Sequence, residues 1–334
     1  MDTIAFVIGS TRIYWNSILL GVAALVGMLL FLAFYLWREP DCLGAFLVLP
    51  LAAGASLVCA RLTHWYFRPD SYRSFAQAMT DFSGGGLALM GCFIGCFLAA
   101  GLVALFRRGR GFASMLDAMS LAGAAAIGVG RLSGFCNSTD RGQVLPPENP
   151  FGSFLMDPLT GQTEYRLATF ALQAAVAGVI FLLLLGLYIW GNRPGRKKAG
   201  DLFWLFSLYY GASQAVLDST RYDSLFFRSN GFVSVVQILC VLAVVVPLVV
   251  FGVRYGRAHD WIPALVALEG SCGVLLAGAG WMEYYVQRHG SQAAFAYSVM
   301  SGCMGGICIL GSMLWYLARR REIPREMPTI YERD

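Results

Sequence analysis

The chain has 334 residues, of which 57% are hydrophobic and 13% charged, with a mean hydropathy of +0.60. That composition excludes an ordinary soluble globular domain and requires lipid as solvent. The net charge of +5 is explained by loops flanking apolar runs, where Lys and Arg commonly meet anionic lipid, and no basic stripe points to nucleic acid.

Nine apolar runs are each long enough to cross a hydrocarbon core of about 30 Å as a helix. They are predicted near 15–37, 43–66, 84–106, 112–132, 167–190, 202–218, 232–253, 262–286 and 295–318. The runs are continuous rather than alternating, so transmembrane β-strands are excluded. The expected fold is an all-α integral membrane protein, a polytopic bundle of about nine transmembrane helices. The sixth run is the least apolar, with Gln214 and Asp218 at its end. Met1 to Tyr14 shows neither a basic leader nor a small-residue cleavage site, so it is not read as a removable signal peptide.

Basic residues follow every second span: Arg107, Arg108 and Arg110 after the third; Arg193, Arg196, Lys197 and Lys198 after the fifth; Arg254 and Arg257 after the seventh; Arg319, Arg320 and Arg321 after the ninth. Positive charge resists translocation, which predicts an N-terminus outside and a C-terminus in the cytoplasm. The outward loop at about 133–166 is rich in turn residues, among them Pro146, Pro147, Asn149, Pro150, Asp157, Pro158 and Gly161. It is predicted to form a small external cap of irregular turns. The outward loop at about 67–83 carries Arg68, Asp70, Arg73 and Asp81, and Gly84-Gly85-Gly86 leads into the third span. Those glycines serve either close helix packing or a ligand-facing backbone.

Neither the nine cysteines nor His64, His259 and His289 have ligand-like spacing, so neither a metal site nor a cofactor is expected. Within spans the noted charges are Glu269 and Glu283, and Glu269 is read as neutral and paired to a neighbouring helix. Arg61, Arg131 and Arg221 lie near outer helix ends. Each alone can snorkel to the interface; together they suit a lipid phosphate, with Asp218 as partner to one of them.

The segment Gly130-Arg131-Leu132-Ser133-Gly134-Phe135-Cys136-Asn137-Ser138-Thr139-Asp140-Arg141-Gly142 resembles the signature of bacterial prolipoprotein diacylglyceryl transferases: Gly-Arg-apolar-Gly-Asn-Phe-apolar-Asn-Gly-Glu, with a Gly three positions on. Gly130, Arg131, Phe135, Asn137 and Gly142 match it. Further resemblances fall in order: Ile4 to Gly9 with Ile13-Tyr14-Trp15; Ala60-Arg61-Leu62; Gly85-Gly86 with Gly91 and Gly95; Asp218 to Arg221; and Gly231 to Gln237. The resemblance covers about 1–255. Residues 256–334, with two further spans and a tail, are expected to be an addition to that membrane domain.

The resemblance implies transfer of a diacylglyceryl group from phosphatidylglycerol to the lipobox cysteine thiol of a preprolipoprotein, at the outer leaflet of the bacterial inner membrane. It implies Arg131, Asn137, Asp218 and Arg221 as catalytic residues, with Arg61, Gly85, Gly86, Gly142, Met90 and Asn16 lining the substrates. The sequence departs from the pattern where Asn16 replaces Tyr, Met90 replaces His, Gly134 replaces Asn and Thr139 replaces Glu, and Gln214 stands where a further Arg belongs. The missing His removes the obvious acceptor for a thiol proton; His64 is either its substitute or an interfacial residue beside Trp65 and Tyr66. The alternative is a non-catalytic or repurposed lipid- or lipoprotein-binding relative. A transporter would instead need repeats and a charged pathway.

Overall fold

Long apolar segments form helices in lipid because every backbone group must then be satisfied within the segment. The structure, a computed structural model, describes residues 4–9, 11–82, 85–156, 163–192, 198–222, 224–227, 230–258, 262–289 and 292–322. Gly84, Asp157, Pro158, Gly161, Arg193, Arg196, Lys197 and His259, noted above, lie outside them. A hairpin of β1 (Ile4–Ile8) and β2 (Thr11–Tyr14) leads into α1 (Trp15–Arg38), which stops before Glu39-Pro40 because proline disfavours helix in the residue ahead of it. Then follow α2 (Cys42–Phe67), the short α3 (Phe75–Thr80), α4 (Leu89–Phe106) and α5 (Phe112–Arg131). After the cap come α6 (Thr169–Gly191), α7 (Asp201–Ser219), α8 (Val235–Ala258), α9 (Ile262–Arg288) and α10 (Ala293–Glu322).

Among the described residues eight helices are long and apolar enough to span a membrane, and the chain is a multi-pass membrane protein. The ninth long helix, α7, has 19 residues but falls short in hydropathy. It occupies the middle of the bundle: 12 of its 19 residues are buried, packed against α5, α6, α8 and α10, so protein rather than lipid surrounds its polar side chains.

Two expectations need correction. The third span begins at Leu89 rather than near 84, because Gly85 and Gly86 take φ of +70° and +84°, values incompatible with a right-handed helix. The cap is more regular than expected. After a 3-10 turn at Leu132–Phe135 it contains an antiparallel hairpin of β3 (Gly152–Met156) and β4 (Thr163–Leu167), with the Phe154 and Tyr165 rings 4.8 Å apart.

Helices α2 and α4 approach closely because small residues face each other. A Cβ on Gly95 would collide with backbone atoms of Ala55 and Ser56. Gly95→Leu is expected to force the two helices apart and lower stability by about 3 kcal/mol or more; a thermal unfolding midpoint equal to that of the unmodified protein would refute this packing.

One end of the bundle collects ion pairs. Asp117, fully buried on α5, takes Arg38 at 3.0 Å and accepts from the backbone N–H groups of Gly200 (2.7 Å) and Phe203 (3.0 Å), so it caps α7. Asp201 pairs with Arg254 at 2.8 Å and Arg319 at 2.6 Å. The Arg319 guanidinium also lies 5.3 Å from the Trp190 ring and 5.6 Å from Trp315, tying α10 to α6 and α7. Glu269 of α9 leans on α8 where Gly252 leaves room for its carboxylate.

Candidate functional site

At the other end, α5 finishes on Arg131 and the chain turns back on itself. Gly134 packs beneath Phe170, since a Cβ there would meet the ring. Arg141 closes the turn: its Nη2 donates to the carbonyls of Gly134 (3.1 Å) and Asn137 (3.2 Å), with its guanidinium 5.1 Å from the Phe170 ring. Asn137 shapes the loop from within. Its Oδ1 accepts from the Thr139 backbone N–H and hydroxyl, both at 3.0 Å, and its Nδ2 donates to Asn16 Oδ1 at 3.2 Å. The two asparagines thus join the signature loop to α1, and Thr139 is held by the loop's own asparagine.

Asp140 follows in the left-handed region at φ +57°, a conformation that Asp tolerates better than most residues. The Phe170 N–H donates to its carbonyl at 2.9 Å. Its carboxylate lies between two guanidinium groups, Arg131 at 2.5 Å and Arg221 at 2.7 Å. Burial alone would raise the Asp140 carboxyl, but Arg131 and Arg221 outweigh it and hold the group below the usual carboxylate range. Gly142 forms an isolated antiparallel bridge with Arg221, and a Cβ there would sit 2.7 Å from the Thr220 carbonyl oxygen. Glycine at 142 therefore lets the two loops touch and brings Arg221 in.

Helix α7 supplies the floor. Tyr210, Gln214 and Asp218 are spaced by four and share one face. The Tyr210 hydroxyl lies against Arg131. Gln214 Oε1 accepts from Gln173 Nε2 at 2.9 Å, beneath a contact of 3.0 Å between the Thr169 and Thr220 hydroxyls. Asp218 faces Arg221 at 3.4 Å and accepts from the Ser234 hydroxyl. Arg131, Asn137, Gly142, Asp218, Arg221 and Asn16 are thereby brought into one connected group.

Arg61, Gly85 and Gly86 form a neighbouring group with a different use. Arg61 is 2% exposed, and it donates to the carbonyls of Ala78, Asp81, Gly85 and Gly86 while lying 4.8 Å from the Tyr72 ring and 4.9 Å from Phe82. It is a clamp on the loop ahead of α4. His64 Nδ1 is hydrogen-bonded to the Tyr72 hydroxyl at 2.7 Å in the same group. Arg68 links it to the first through the Ser224 carbonyl at 3.4 Å, and Ser224 in turn donates to the Asp218 carbonyl. Met90 is half-buried against the core, one turn before Phe93, whose ring is 5.5 Å from Tyr210.

Sequence reasoning missed two members, Asp140 and Tyr210. The signal for Asp140 was an acid one residue past Thr139, where the resembled signature carries Glu. For Tyr210 it was the spacing of four that runs back from Asp218 through Gln214.

The arrangement is that of a multi-pass helical membrane protein in which two arginines converge on one carboxylate at one end of the bundle. A family model, prolipoprotein diacylglyceryl transferase, matches residues 3–253. The chain is 26% identical over 260 residues to the phosphatidylglycerol–prolipoprotein diacylglyceryl transferase of Bacillus licheniformis, covering 73% of this chain and 92% of that one. The Bacillus velezensis protein of the same name is 25% identical over 270 residues, covering 78% and 94% respectively. That of Bacillus mycoides is 26% identical over 265, covering 76% and 92%. The chain belongs to the prolipoprotein diacylglyceryl transferase family, and the match ends within α8.

Proposed function

We propose that this protein transfers a diacylglyceryl group from phosphatidylglycerol to the lipobox cysteine thiol of preprolipoproteins, at the outer leaflet of a bacterial inner membrane. The observation that carries this reading is the pair Arg131 and Arg221, whose guanidinium groups face a single anion position from two sides. A phosphodiester fits such a pair, and cations held ready for charge that grows on a leaving phosphate lower the barrier. The thiol sulfur attacks the glyceryl methylene carbon, the bond from that carbon to the phosphate oxygen breaks, and glycerol phosphate departs. The transferase name of the relatives described above favours this over a purely lipid-binding role.

In this reading Asn137, Asn16 and Gly142 fix the loop, Asp218 orients Arg221, and Met90 borders the lipid. Arg61 with Gly85 and Gly86 sets the adjoining backbone. Residues 1–255 form the transferase unit, and 256–334 add two helices to it. The site end faces outward, in keeping with the basic loops of the opposite end.

The test uses purified protein, labelled phosphatidylglycerol and a lipobox peptide. Transfer is expected, with Arg131→Ala reducing the rate by about 100-fold or more. Absence of thioether product from the unmodified protein, or a variant as fast as its parent, would refute the assignment; lipid bound without transfer would make the chain a non-catalytic relative.

A further inference from the structure

The place between Arg131 and Arg221 that a phosphate would take is held by a carboxylate of the protein itself. Asp140 is fixed by its backbone, through the Phe170 N–H on its carbonyl, whereas its carboxylate is attached through rotatable side-chain bonds and is held by the arginines. Among the described residues the ion pairs here join two guanidinium groups to the carboxylates of Asp140 and Asp218, and these four charges cancel. An arriving phosphodiester adds a third negative charge, and the carboxylate it meets between the two arginines is that of Asp140. Asp218 is anchored by the Ser234 hydroxyl as well as Arg221 and is almost wholly buried. The Asp140 side chain is the more open of the two, 18% exposed against 1% for Asp218.

Resting on the transferase reading, we propose that Asp140 is the acid–base residue of this site: the lipid phosphate displaces its carboxylate from the two arginines, and the displaced carboxylate takes the proton of the acceptor thiol. The chemistry closes without a co-reactant. The S–H proton passes to an Asp140 carboxylate oxygen. The sulfur's electron pair forms the new S–C bond, while the C–O pair leaves on the phosphate, whose added charge stays with Arg131 and Arg221. Protonated Asp140 then returns its proton to the departing glycerol phosphate and resumes its seat between the arginines. A carboxylate that has lost its cations to a phosphate, and gained that phosphate as neighbour, binds a proton more tightly. The base is therefore strengthened only when the lipid is in place. The other candidates are less suited: Met90 and Asn16 offer no base, Thr139 is bonded to Asn137, and His64 is bonded to Tyr72.

The experiment separates binding from transfer in the full chain reconstituted in nanodiscs, with thermal unfolding as a control for folding. Asp140→Asn is expected to bind phosphatidylglycerol about tenfold more tightly, because a competing anion is gone, and to transfer at least about 100-fold more slowly. Asp140→Glu, which keeps an acid, is expected to regain part of the transfer. Weaker or unchanged lipid binding by Asp140→Asn overturns the displacement step, even if the unmodified protein transfers nothing and the proposed function fails on its own. Undiminished transfer by Asp140→Asn overturns the proton step.

Discussion

Arg61→Ala is expected to lower stability by about 2–4 kcal/mol, read as a fall in the thermal unfolding midpoint and as faster proteolysis within 78–86. The arginine serves four carbonyls, one in α3 and three in the segment that follows it, and truncation leaves buried acceptors without a forked guanidinium as donor. Arg61→Lys should recover only a part, since one ammonium cannot reach carbonyls on several sides. A variant that unfolds like its parent but binds phosphatidylglycerol more weakly would make Arg61 a ligand instead.

Asp201→Ala is expected to cost about 3 kcal/mol, because it removes a buried carboxylate shared by the nearly buried Arg319 and the more exposed Arg254. Arg319 in particular is nearly buried, with 6% of its side chain exposed, and has rings on two sides. The loss should be concentrated in α10, so that a protease site engineered into α9 or α10 becomes accessible before one in α5. Equal accessibility of both sites, or an unchanged unfolding midpoint, would show that apolar packing alone holds the last helix.

The helices were legible because lipid leaves so little freedom: about 20 apolar residues in a row have one stable conformation. Arg131, Asn137 and Gly142 were legible together because the signature spacing preserves the turn that follows α5, and Arg221 because it falls in a second resembling stretch, Asp218 to Arg221. What escaped were features set by contact rather than by pattern. Arg61 reads as a cation at a helix end, and only the carbonyls of Ala78, Asp81, Gly85 and Gly86 around it reveal a clamp. Asp140 reads as one more polar loop residue until its left-handed backbone turns it between two arginines. Asp117 sits in a run apolar enough to hide it, and its purpose appears only when the start of α7 lies against it.

The burial of α7 bears on how the protein is made. A segment carrying Asp201, Gln214 and Asp218 gains little by entering lipid as an isolated helix, yet it forms the floor of the site. It must be received by helices already in the membrane, α5 and α6 before it, and held there until α8 and α10 arrive from the ribosome to close the other side. The part of the molecule that faces the arginines is therefore the part whose insertion depends most on its neighbours, and α10, through Arg319, helps to enclose it.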